Sequence, residues 1–153
     1  MLKFILIINV VMSCTLLFSQ EKDTTFTLCE NGGVWPYYHR ELKYKGCFWE
    51  IKKHYQSEYP IAKFQNLKNN SGIITIQFKV NCKGETGDFA LQQCDLNYLP
   101  TILDEKITNY FMEQTKQLKD WIPLKDQEGK TINSHKFFSF RIKAGDLIEI
   151  LPK

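Results

Sequence analysis

The residues able to do chemistry in this chain are few and scattered. Five cysteines, three histidines and 17 acidic residues are spread over 153 positions. His39, His54 and His135 stand far apart and no Cys-x-x-Cys occurs, so the spacing offers no zinc site and no metal is expected. No histidine is placed in sequence to activate a cysteine. A Ser-His-Asp arrangement and a Gly-rich phosphate loop are both missing from the pattern. Glu85 and Asp88 flank a turn, and Asp104-Glu105 fall in the first turn of an expected helix, where acids suit the helix dipole. The expectation is a non-enzyme with no catalytic residue and no cofactor.

The cysteines point instead to a compartment. Met1-Leu2-Lys3, an apolar run from Phe4 to Phe18 and then Ser19-Gln20-Glu21-Lys22-Asp23 have the layout of a secretory signal peptide. The run is about 15 residues, short of the roughly 20 that span a bilayer. An uncleaved anchor is one alternative. A lipid anchor through Cys14 is another, although the apolar run continues past it to Phe18. The chain is therefore expected in the periplasm or attached to the cell envelope, with residues 1–20 as the leader. Losing Lys3 leaves 19 basic against 17 acidic residues, a net charge of +2. That balance is too small to argue for nucleic acid or an anionic membrane.

Cys29, Cys47, Cys82 and Cys94 remain, an even count that suggests disulfides in an exported chain. A hairpin of 73–81 with 88–94 would hold Cys82 and Cys94 roughly 25 Å apart, too far for a bond. This disfavours Cys82–Cys94, with Cys29–Cys47 as its companion. Cross-links from the N-terminal segment to the sheet, such as Cys29–Cys82 or Cys47–Cys94, are left open.

The elements that would position these residues are legible in the apolar pattern. Residues 21–58 hold many aromatics, among them Phe26, Trp35, Tyr37, Tyr38, Phe48, Trp49 and Tyr55. They read as an extension packed on the main domain rather than a linker. Asn31-Gly32-Gly33 is a turn. Phe48, Ile51 and Tyr55 lie on one face of a short helix that Pro60 ends. Ile74, Ile76, Phe78 and Val80 alternate with polar residues, as in an antiparallel strand with one wet face. A second strand follows with Phe89 and Leu91 inward. A helix over 101–119 carries Leu103, Ile107, Tyr110, Phe111 and Leu118 as one stripe, with Thr101 and Asp104 as its capping pair. Asn133 to Ile142 is a third strand, and Lys143-Ala144-Gly145-Asp146 turns it into a fourth. The expected fold is α+β: a small antiparallel sheet in β-β-α-β-β order on one long helix, with the aromatic extension before it.

From Tyr59 to Leu151 this order resembles the C-terminal domain of TonB-type energy transducers. Tyr59-Pro60 precedes the first strand as a Tyr-Pro pair does in that family. Lys83-Gly84 matches the first hairpin turn and Trp121-Ile122-Pro123 the Trp-x-Pro after the helix, where the indole would lock helix to sheet. The resemblance makes residues 59–153 a TonB C-terminal-like domain. It implies a protein or peptide partner in the envelope, an outer-membrane transporter among the possibilities, docked by strand addition at a sheet edge. The edge it implies is 136–142 or 147–150, with Tyr59 and Pro60 nearby; the residues are Lys136, Phe138, Phe140, Arg141, Ile142, Leu147 and Ile148. The chain departs from the family in having only five prolines, hence no Pro-rich arm, and an apolar leader that reads as cleavable. A role as an accessory energy transducer would require that leader to stay as an anchor.

Overall fold

The computed structural model describes residues 26–29, 34 and 42–152. The leader, the turn at Asn31–Gly33 and the aromatic cluster Trp35–Tyr38 lie outside the described residues. The chain is α+β with small antiparallel sheets.

The main sheet is built from β2 (Gly72–Val80), β3 (Thr86–Cys94), β7 (Ser134–Lys143) and β8 (Asp146–Leu151), in the order β3-β2-β7-β8. Every neighbouring pair is antiparallel. Ile74, Ile76, Phe78 and Val80 of β2 are buried beside Phe138, Phe140 and Ile142 of β7, because alternate side chains share a face. Ala144 and Gly145 both have positive φ, the geometry of a two-residue hairpin turn. Four two-residue strands were not anticipated. β1 (Lys43–Tyr44) pairs with β4 (Trp121–Ile122), and β5 (Leu124–Lys125) pairs with β6 (Thr131–Ile132). Three of them stand between the helix and the third long strand.

Two helices, not one, cover the apolar face. α1 (Cys47–Gln56) buries Ile51 and Tyr55, and α3 (Glu105–Gln117) buries Ile107, Thr108, Phe111 and Thr115. The rings of Phe111 and Phe140 stack at 4.3 Å, and Tyr55 meets Phe140 edge-on at 4.7 Å. Such pairs add about 0.5–1.5 kcal/mol each beyond the area they bury. The Tyr55 hydroxyl donates to Thr115 Oγ1 at 2.8 Å, and the Thr115 hydroxyl donates to the Phe111 carbonyl. The buried oxygens are thereby satisfied.

Two expectations about helix limits are corrected. α3 starts at Glu105 rather than Thr101, because the Asp104 carboxylate accepts from the Lys106 amide and caps the helix there. Pro60 does not end α1, which stops at Gln56; it is the N-cap residue of α2 (Ile61–Gln65), its carbonyl accepting from the Lys63 and Phe64 amides.

The disulfide is Cys29–Cys82, with Cα atoms 6.0 Å apart. Asn81 Nδ2 donates to the Thr27 carbonyl, while Asn133 Nδ2 donates to the Cys29 carbonyl and its Oδ1 accepts from the Cys29 amide, each at 3.0 Å. Two buried asparagines and a covalent bond thus hold residues 26–29 on the sheet end. Cys47 and Cys94 are free thiols, which corrects the Cys47–Cys94 alternative. Cys94 lies near the start of α3, where Gln93 Oε1 accepts from the Leu103 amide. Cys47 lies near its end, where the Lys45 amide donates to the Asp120 carbonyl. A helix of this length spans about 20 Å, well beyond disulfide reach.

Candidate functional site: an edge strand beside an aromatic groove

Among the described residues the sheet has two edges, β3 and β8. An edge presents unpaired N–H and C=O groups that can template another strand. The two are not equivalent. β3 is interrupted by a register shift opposite Gln77–Lys79, with Asp88 at φ 52. Asp88 is also tied to Lys79 by a 2.8 Å ion pair, and the far end of β3 is closed by a bridge from Cys94 to Pro100. Bulges and charges of this kind discourage pairing.

β8 has its own register shift at Ile148, which is skipped between the pairs Ile142–Leu147 and Arg141–Glu149, so that residues 149–151 form the regular part of this edge. Beside it lies an open groove of about 700 Å³, lined by Phe48, Trp49, Lys52 and Gln56 of α1 and by Ile148, Glu149 and Ile150 of β8. That is within the usual size of ligand clefts. Trp49 is 68% exposed and Ile148 54% exposed, on opposite walls. α1 places Trp49 there because its other face is used up in the core by Ile51 and Tyr55. Ile150 turns inward opposite Phe140 of β7 and Glu149 pairs with Arg141, while the skipped Ile148 is exposed and lines the groove. The Tyr59 hydroxyl donates to the Gly145 carbonyl at 2.9 Å and fixes the β7–β8 turn.

The structure separates the site residues expected from the sequence into three groups. Ile148 and Leu147 are on the edge strand, and Tyr59-Pro60 stand beside its turn. Phe138, Phe140 and Ile142 are fully buried core residues. β7 lies between β2 and β8, so 136–142 is not an edge: its backbone pairs with β2 along its length and with β8 from Ser139 on. Lys136 is 7% exposed, with its Nζ 5.9 Å from the Trp121 ring and 5.5 Å from the Phe138 ring. Burial pushes its pKa down to about 8. Arg141 is half-exposed on the wet face and donates to the Tyr98 hydroxyl at 3.3 Å.

Sequence reasoning missed Trp49, Lys52, Gln56 and Glu149 as groove residues. A signal existed: Trp49 falls off the Phe48–Ile51–Tyr55 face and so had to lie on the wet side of a short helix. Trp121, expected to lock the helix end to the sheet, is buried against Tyr44 at 5.1 Å and Phe78 at 5.5 Å. Among the described residues no group of three or more His, Cys, Asp or Glu could hold a metal ion. None of the described helices is long and apolar enough to cross a membrane. The Cys29–Cys82 bond suits an oxidising, exported environment. No protein-family model, no curated protein and no solved structure matches the chain.

Proposed function

We propose that this chain is an exported, non-enzymatic binding module that takes an extended segment of another envelope protein as an added strand on β8. The observation that supports it is the pairing of an open edge with the groove under Trp49. Strand addition draws affinity from main-chain hydrogen bonds and choice from alternate side chains. Here the alternate side chains of the guest would enter between Phe48, Trp49 and Ile148, while its backbone pairs with residues 148–151. The TonB C-terminal resemblance points the same way, with β2, β3, α3, β7 and β8 as the family's β-β-α-β-β core and β4–β6 as additions within it. On that reading the periplasm is the place of action and a segment of an outer-membrane transporter is one partner of the right kind.

The test is a proline scan of Ile148, Glu149 and Ile150. In an antiparallel edge strand alternate amides point outward, so proline at an outward position removes a docking donor at little cost to the fold. Envelope proteins are captured on the wild-type chain and on each variant that keeps its melting temperature. The expected result is loss of the specifically captured protein on the outward-position variant. Capture of the same protein at the same level by every such variant sinks the reading.

A further inference from the structure

The charges on the two walls of the groove restrict what the guest strand can be. From Asp146 to Leu151, β8 has two acids and no base. Among the described residues neither Asp146 nor Glu149 is in an ion pair. Glu149 stands opposite Arg141 on β7, whose guanidinium donates to the Tyr98 hydroxyl. A residue on an added strand directly opposite Glu149 would have its Cβ about 4.5–5.5 Å away, the distance at which opposite charges attract and like charges repel across strands. The α1 wall of the groove has the reverse sign, since Lys52 lines it with Phe48 and Trp49, whereas Glu149 is at the β8 wall.

Resting on the strand-addition reading, we infer that Glu149 selects a guest with a basic side chain opposite it, flanked by apolar side chains that enter the groove, and rejects acidic strands and a second copy of this chain. A base placed in the groove itself would meet Lys52, so the basic residue belongs on the wet face and its neighbours on the groove face. Self-pairing fails on the same ground. An antiparallel partner copy centred on Glu149 sets two carboxylates face to face. A register moved by two residues leaves them as diagonal neighbours, still within reach of each other. The acids therefore keep β8 open to others while preventing it from dimerising, a known use of charge on sheet edges.

The experiment is a titration of the ¹⁵N-labelled disulfide-bonded chain with two capped peptides that alternate valine and threonine. One has lysine at the central threonine position and the other glutamate. The expected result is movement of the amides of 148–151 by both, with the lysine peptide tighter by roughly three- to ten-fold and the ratio shrinking in salt. Glu149→Gln should bring the ratio close to one and Glu149→Lys should invert it, with melting temperatures recorded for both variants. Equal affinities in the wild type, or a ratio that Glu149→Gln leaves unchanged, overturns the charge inference while strand addition stands. If neither peptide moves those amides at millimolar concentration, the strand-addition reading falls and this inference with it.

Discussion

Lys136 gives the sharpest test of the packing described above. The residue is largely buried, with its ammonium beside the Trp121 and Phe138 rings, and burial lowers its pKa from 10.5 to about 8. Below pH 8 both folded and unfolded chains hold the proton, and burial of the charge weighs on the folded state. Between pH 8 and 10 the folded chain has released the proton while the unfolded chain keeps it. The unfolded state then binds more protons, so stability rises with pH across that window. The pKa difference corresponds to at most about 3 kcal/mol. The two ring faces favour the charged form by about 0.5–2 kcal/mol, so a gain nearer 1–3 kcal/mol is the expectation. Above pH 10 the trend must reverse. Burial raises the pKa of Tyr55 and Tyr59, so unfolded tyrosines ionise while these two do not, and stability falls. The assay is urea denaturation at intervals from pH 7 to 11, with Cys47 and Cys94 alkylated so that disulfide exchange does not intrude. Lys136→Met keeps the length of the side chain without the charge. It should lose the rise between pH 8 and 10 while keeping the fall above it. If wild type and Lys136→Met have the same slope between pH 8 and 10, the burial argument is refuted.

Two further outcomes follow from the same geometry. The double variant Cys29→Ser, Cys82→Ser opens a loop with a sequence separation of 53, worth about 4 kcal/mol in the chain-entropy account; an unchanged urea midpoint would show that the bond adds nothing. Gly145→Ala puts a Cβ at φ 77, 2.5 Å from Gln65 N and Phe64 C, and should cost about 2 kcal/mol or more. A loss below about 0.5 kcal/mol, within the range of an ordinary surface change, would mean that α2 is not held against the β7–β8 turn.

What could be read from the sequence was whatever local physics decides. β2 was legible because a strand with one dry face must alternate, and Ile74, Ile76, Phe78 and Val80 do. The Ala144-Gly145 turn was legible because few residues accept its backbone. The start of α3 was not, since Thr101 and Asp104 both cap helices well and only the fold shows that Ile102 is exposed while Leu103 is buried. Strand order was not legible either. β7 and β8 both alternate, and nothing local says that β7 pairs on both sides; its 10 residues against 6 for β8 were the one hint, since a long strand is better able to serve two neighbours. The groove was invisible because it exists only where α1 overhangs an edge that the sheet order creates.

The placement of the covalent bond relative to the proposed site has a functional consequence. Cys82 follows the end of β2, where Val80 pairs with Ser134. The edge segment of β8 pairs with the other half of β7, starting at Ser139 with Leu151. The two levels are five residues apart along β7, about 17 Å. What holds Trp49 over β8 is therefore not the disulfide but the aromatic seat of α1, Tyr55 on Phe138, Phe140 and Phe111, helped by Tyr44 of the preceding β1 on Trp121. Local stability differs across a fold, and the bond and the groove belong to different parts of this one. Reduction should loosen residues 26–29 and the nearby sheet end first, with the amides of 148–151 keeping their hydrogen-exchange protection until the whole domain unfolds. If those amides lose protection as early as residues 26–29 do, the groove depends on the bond, and the aromatic seat is not what positions Trp49.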